Sequence, residues 1–276
     1  IDNKYYLTNF NNLDYKLRNC NINNCLNIYN NFIKPFTKEE IIIIKNLKKN
    51  MKNIINKLFS KNIFNYDFRK VKNNIENSLP HTRGNFIIYP QKLYDDFIKL
   101  NKNFIFSNKR YFDLMFHELF HIFQRNNPEL INILYSDYWN LIKYEKKLPK
   151  KLKNIVRTNP DALPNNNWIF KIDNNYIMPL CIYNTNSNSI SDTKTIYLEL
   201  NNKIEFVDIN KFYDLQELEN YNKYFGIYNS NNYHPNELSS SIFEKIIYNN
   251  YYNINIEKSI GYNKMESFLR KYCHLY

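Results

Sequence analysis

The chain has 276 residues with a formal net charge of +12, long enough to bury a sizeable core as one large domain. No apolar run approaches the ~20 residues a membrane-spanning helix needs, so no such helix is expected. Four cysteines without a CxxC pair exclude a dense disulfide framework, and no glycine-rich phosphate loop, zinc knuckle or RNA-recognition motif accompanies the charge.

The first thirty-odd residues, rich in Asn, Tyr and Leu, lack a clean period and read as loop with short helical pieces. Thr37 and Glu40 form a capping-box pattern that opens a long helix to about Phe59. A second helix is expected over Tyr66 to Glu76. HTRGNFIIYP then reads as a bend at Gly84 followed by a short strand, Phe86 to Tyr89, ended by Pro90. A strongly apolar helix follows from about Asn108 to Arg125. Pro128 opens another over PELINILYSDYWNLIKYE. From Asp161 onward WIFKI, YIMPLCIY, KTIYLEL and KIEFVDI alternate with Asn-rich breaks as an antiparallel meander. Helical patterning resumes at Pro235 to Asn249 and at Tyr262 to Tyr276.

The densest lysine runs, Lys45 to Lys57 and Lys143 to Lys153, are mixed with Asn, Ile and Leu. They read as solvated helix faces ahead of an acidic partner surface, so nucleic acid is not favoured as a partner and no membrane is expected. Cys20, Cys25, Cys181 and Cys273 read as free thiols in a reducing compartment, against a Cys20–Cys25 bridge in an oxidising one. The opening IDNKYYLTNF has no secretion-signal pattern. An intracellular setting is therefore expected, although a first residue of Ile leaves room for a removed upstream segment. Aromatics at 17% beside 3 Gly suggest the coding bias of an AT-rich genome, such as that of a large DNA virus or a protist.

The chemistry-bearing segment is HELFH at 117 to 121, an HExxH pattern inside the apolar helix. Imidazoles four residues apart share one helix face, so His117 and His121 can hold one Zn²⁺ while Glu118 reaches a metal-bound water as general base. Burying two His and a Glu without strong partners would cost several kcal/mol. The bland alternative is a pair of core histidines bonded to backbone. A catalytic zinc needs a third protein ligand. The metzincin continuation is excluded by Gln124 and Asn127. In NYHPNELSSSIF, Pro235 suits a first helical turn and sets Glu237 where it can face the cleft. Glu237 is the expected third ligand, with His234 the competing one, and a metal-free carboxylate on the helix dipole the alternative role for Glu237. Asn159 and Asp161, in NPDALPNNN, read as turn residues.

On HELFH and HPNEL the chain resembles the gluzincin branch of the zincin metallopeptidases, and HTRGNFIIYP resembles the zincin edge strand that lines the substrate cleft. With NPD at 159 to 161 it is also similar to uncharacterised zincin-like proteins carrying HExxH, NPD and HPxE elements. The resemblance implies His117, His121 and Glu237 as ligands of one Zn²⁺ per chain, Glu118 as base and proton shuttle, and a peptide or protein substrate. Ser241 stands where gluzincins often place an Asp that orients a zinc-bound His, and Asp113, one turn before His117, could substitute. For the oxyanion donor the candidates are His234 foremost, then Tyr233, His81 and Arg83. The expected fold class is α+β: a single, mainly helical zincin-like catalytic domain over 1–276, with an irregular segment 1–36, a small edge-strand sheet and an inserted β meander at 161–210. The expected function is zinc metallohydrolase, first of all a peptidase. The rival readings are a weak or inactive zincin-fold binding protein, and a basic nucleic-acid-binding protein.

Overall fold

The computed structural model describes residues 4–100, 106–161, 167–172, 174–228 and 232–276. The expected turn at NPDALPNNN therefore lies, beyond Asp161, outside the described residues. The helices are α1 (Lys4–Leu7), α2 (Asn12–Leu17), α3 (Cys25–Asn31), α4 (Lys38–Leu58), α5 (Gln91–Lys99), α6 (Lys109–Asn126), α7 (Pro128–Ile133), α8 (Lys150–Lys153), α9 (Glu219–Phe225), α10 (Pro235–Tyr252) and α11 (Ile260–Tyr272). The strands are β1 (Ile33–Lys34), β2 (Asp67–Val71), β3 (His81–Arg83), β4 (Phe86–Pro90), β5 (Leu141–Tyr144), β6 (Asn167–Ile172), β7 (Asn175–Tyr183) and β8 (Thr193–Leu200). They form two four-stranded sheets, in the order β1-β2-β4-β3 and β5-β6-β7-β8. The class is thus α+β, and the second sheet is an antiparallel meander.

Helix α4 starts where the sequence places it: Thr37 Oγ1 accepts from the Glu40 amide, and Glu40 accepts from the Thr37 amide at 2.7 Å. Its Ile43, Leu47, Met51, Ile54 and Leu58 recur every three or four residues and are buried, while Lys45, Lys49, Lys52 and Lys57 face solvent. Helix α6 is the centre of the main core. Leu119 and Ile122 are fully buried, and the Phe120 ring stacks on Phe243 of α10 with centroids 4.5 Å apart. This stacking locks α6 to α10, the two elements that carry the candidate ligands. Strands β3 and β4 lie against α6, with β3 at the sheet edge. A second core, including Ile169, Met178, Leu180 and Leu198, lies under the meander.

Four expectations are corrected. Residues 66–76 are not a helix: β2 pairs in parallel with β4, Phe68 opposite Ile87, and Lys70 is buried against Glu40 at 2.6 Å, so sheet pairing overrides local helix propensity. The helix opened by Pro128 ends in a π-turn, Leu134–Tyr138, and left-handed Asn140 (φ 56°) turns the chain into β5. The meander therefore takes its first strand from before residue 161. KIEFVDI forms no strand; left-handed Ile204 (φ 60°) turns it back to a single bridge, Phe206 opposite Leu200. Finally, Cys20 and Cys25 are joined by a disulfide, because the turn between α2 and α3 brings their Cα atoms within 5.0 Å. The free-thiol reading holds for Cys181 and Cys273, both buried, but it no longer supports a reducing compartment. No helix among the described residues is long and apolar enough to cross a membrane.

The N-terminal segment carries short helices held by buried polar bonds. Asn11 caps α2 and donates to the Val156 carbonyl at 2.7 Å, and Arg18 joins Asp14 (2.9 Å) to Glu76 (3.1 Å). These ties fix the 155–159 segment, which enters the functional cleft.

Candidate metal centre and its cleft

One face of α6 presents His117 and His121, their ring centroids 4.7 Å apart. The first turn of α10 brings Glu237 to them: Oε2 lies 3.2 Å from His117 Nε2 and 3.6 Å from His121 Nε2. Ligand atoms about 2.0–2.1 Å from a tetrahedral ion are separated from one another by about 3.3 Å, so these spacings suit one small cation. The three donor atoms all lie within 4.8 Å of one another. A two-imidazole, one-carboxylate set also matches borderline metals by donor chemistry.

Each donor is oriented from behind. His117 Nδ1 meets Glu244 at 3.0 Å, and Glu244 is two helical turns beyond Glu237 on α10. His121 Nδ1 faces Gln124 Oε1 at 2.9 Å and Ser240 Oγ at 3.2 Å. Gln124 Nε2 in turn donates to the Asn236 carbonyl and to Ser239, both at 2.8 Å, which fixes the direction of its amide. Asn159 Nδ2 donates to Glu237 Oε1 at 2.6 Å and to the Tyr233 hydroxyl. Asp161 is bound by the Thr82 amide at 2.9 Å and lies 3.7 Å from Arg125, tying this loop to β3 and α6.

The electrostatics fit a cation as well. Burial alone would lower the His117 pKa, but its bonds to Glu237 and Glu244 raise it well above the usual value. Burial would raise Glu237, yet the His121 and His117 rings hold it well below the carboxylate range. Glu118 behaves differently. Burial, then the Asp161 charge, pushes it up to about 8, and its Oε2 is buried with no hydrogen-bond partner. A buried carboxylate oxygen left unpartnered beside three convergent donors is what a site for a metal and its water requires.

The centre opens into a cavity of about 760 Å³, lined among others by His81, His117, Glu118, His121, Arg157, Tyr233 and Glu237. His234 does not line it; it caps α10, accepting from the Asn236 amide at 3.1 Å. Arg83 is buried against the Tyr6 ring and the Thr82 carbonyl, also outside the lining. Asp113 does not orient His117; it binds Lys109. The edge strand flanking the cleft is β3, with His81, while Phe86–Pro90 is an interior strand.

Sequence reasoning missed Glu244, Gln124 and the ligand-holding role of Asn159. Glu244 follows Glu237 by seven residues and Gln124 follows His121 by three, so helical spacing was the available signal. Comparison of the chain with family models, with curated proteins and with solved structures finds no match.

Proposed function

We propose that this chain is a zinc-dependent hydrolase of peptide bonds, with His117, His121 and Glu237 holding one Zn²⁺. The observation that carries the reading is the convergence of the three donors beside Glu118, whose carboxylate oxygen has no protein partner. When bound, zinc supplies Lewis acidity, which activates a water and polarises a carbonyl. With a cation beside it favouring its ionised form, the Glu118 carboxylate would take the proton of the attacking water and deliver it to the leaving amine. Glu244, Gln124 and Ser240 keep each imidazole turned with Nε2 toward Glu237. Tyr233, which lines the cleft beside Asn159, replaces His234 as the candidate donor to the developing oxyanion. The likeness of HELFH and HPNEL to gluzincins agrees with this assignment.

The test pairs elemental analysis with cleavage of a mixed peptide library. About one zinc per chain, lost in His117→Ala and His121→Ala, with proteolysis abolished in Glu118→Gln, is the expected result. Full zinc in both histidine variants would overturn the site. Zinc without any cleavage would favour a binding protein instead.

A further inference from the structure

We propose that the Arg157 end of the cleft is a subsite for a substrate carboxylate, supplied by a peptide C-terminus or by an acidic side chain near the cleaved bond. The proposal rests on the hydrolase reading and adds a substrate feature to it.

Arg157 is held rigidly. Its amide donates to the Cys181 carbonyl at 2.9 Å, Val156 bridges Ile182, and the Tyr183 amide donates to Ile155 at 2.9 Å, so the segment pairs with β7 on its β6 side, beyond the paired part of β6. Arg157 lines the cavity, and its Nε is buried without a hydrogen-bond partner. The Tyr233 hydroxyl and the Cys181 thiol act on it ahead of Glu76, and the Glu76 oxygens are already engaged by Arg18 at 3.1 Å, Arg83 at 3.8 Å and the hydroxyls of Tyr6 and Tyr29. Three guanidinium groups (Arg18, Arg83, Arg157) thus share two carboxylates, Asp14 and Glu76. Nearby His81 adds no further positive charge, since burial and Arg83 push its pKa down to about 4 and leave it neutral. Arg157 thus keeps a buried, unpartnered Nε at the cleft wall, where a buried charge short of hydrogen bonds is expensive.

An incoming carboxylate would complete the set, because the planar guanidinium can grip it through two parallel hydrogen bonds. Thr193 and Thr195, opposite Tyr183 and Cys181 in the β7–β8 register, line the same end of the cavity. The path from Arg157 to the metal centre is short: its neighbour Tyr233 bonds Asn159, which bonds Glu237. A peptide anchored at Arg157 would therefore present a bond close to its carboxylate to the metal centre.

The experiment measures binding, not turnover, by fluorescence polarisation of labelled alanine-rich hexapeptides on zinc-loaded Glu118→Gln protein. One pair ends in a free acid or an amide; another carries Glu or Gln at an internal position. The acidic member of at least one pair should bind about tenfold tighter or more, the scale of one charge-assisted hydrogen bond. Arg157→Gln should erase that preference and Arg157→Lys should keep part of it. A preference in the first pair assigns the C-terminal carboxylate, and one in the second an acidic side chain. Equal binding within both pairs, no binding of any peptide, or a preference that survives Arg157→Gln overturns the subsite. If Arg157→Gln fails to fold, the parent protein and Arg157→Lys decide. A preference in a protein that cleaves no peptide with Glu118 restored sinks the hydrolase reading and leaves the subsite standing; cleavage without any preference does the reverse.

Discussion

Two buried acidic centres, one around Glu76 and one around Glu237, use similar chemistry to opposite ends. At Glu76 both oxygens are engaged by Arg18, Tyr6 and Tyr29, with Arg83 close by, and the arginines outweigh burial to hold the carboxyl below its usual range. That closure holds Glu76, Asn77 and Ser78 in the left-handed region (φ 47°, 54° and 61°), which non-glycine residues rarely occupy. At Glu237 the partners are two imidazoles and Asn159, and the neighbouring Glu118 keeps an oxygen with no partner at the cleft. A carboxylate whose oxygens are all engaged fixes architecture, whereas one beside spare, convergent valence is placed to receive something.

The largest effect that would sharpen this contrast is on activity. Glu118→Gln should lower hydrolysis by about 10²–10⁴-fold while zinc content is retained, the usual range for loss of a general base. Its stability should stay within about 1 kcal/mol of the parent, since a similar-sized amide replaces a group whose Oε2 had no partner. Undiminished cleavage by this variant would break the assignment of Glu118.

Glu76→Gln should do the reverse, costing about 3–5 kcal/mol of stability by leaving Arg83 without its carboxylate and Arg18 with Asp14 alone. The sign with pH follows from the lowered folded-state pKa. Glu76 contributes fully above the ordinary Glu value of about 4.3, and the contribution fades as pH falls below it toward the folded value. Urea unfolding at several pH values should therefore show the gap between parent and variant narrowing in acid. A gap independent of pH would mean that Glu76 acts by packing and not by charge.

How much of this contrast could be read in the sequence differs by residue. The α6 cluster was legible because HExxH spacing and apolar periodicity are local signals, and Pro235 before Glu237 marked the helix that brings Glu237 to it. The fold class and three of the meander's four strands were legible for the same reason, while β5 carries a helical pattern. The Glu76 hub was not, since its partners come from residues 6, 18, 29 and 83, gathered only by tertiary structure. Residues 66–76 were misread because Phe68 and Lys70 are fixed by pairing with β4 and by Glu40, neither of which is visible locally. Cys20–Cys25 was weighed against free thiols and placed second, because spacing alone does not report the turn that closes it.

A smaller effect separates the two imidazoles. Glu244→Gln keeps the hydrogen bond to His117 Nδ1 but removes the carboxylate charge, so zinc affinity should fall about 10–100-fold, the common cost of disturbing a ligand's orienting partner. Competition with a chromophoric chelator would read it. An unchanged affinity would make Glu244 a cleft residue with no part in metal binding.

The smallest effect is expected at Ser240. Its hydroxyl is the second partner of His121 Nδ1, at 3.2 Å, behind Gln124 at 2.9 Å. Gln124 keeps its orientation in Ser240→Ala, because its amide still donates to the Asn236 carbonyl and to Ser239. The loss is then one weak neutral hydrogen bond, worth about 0.5–1.5 kcal/mol, and zinc affinity should fall by less than about tenfold. Gln124→Ala, which removes the stronger partner and one of the side-chain donors to the Asn236 carbonyl, should fall further in the same chelator assay. If Ser240→Ala proves the more damaging of the two, the hydroxyl and not the amide sets the tautomer of His121, and the ordering argued from these distances is wrong.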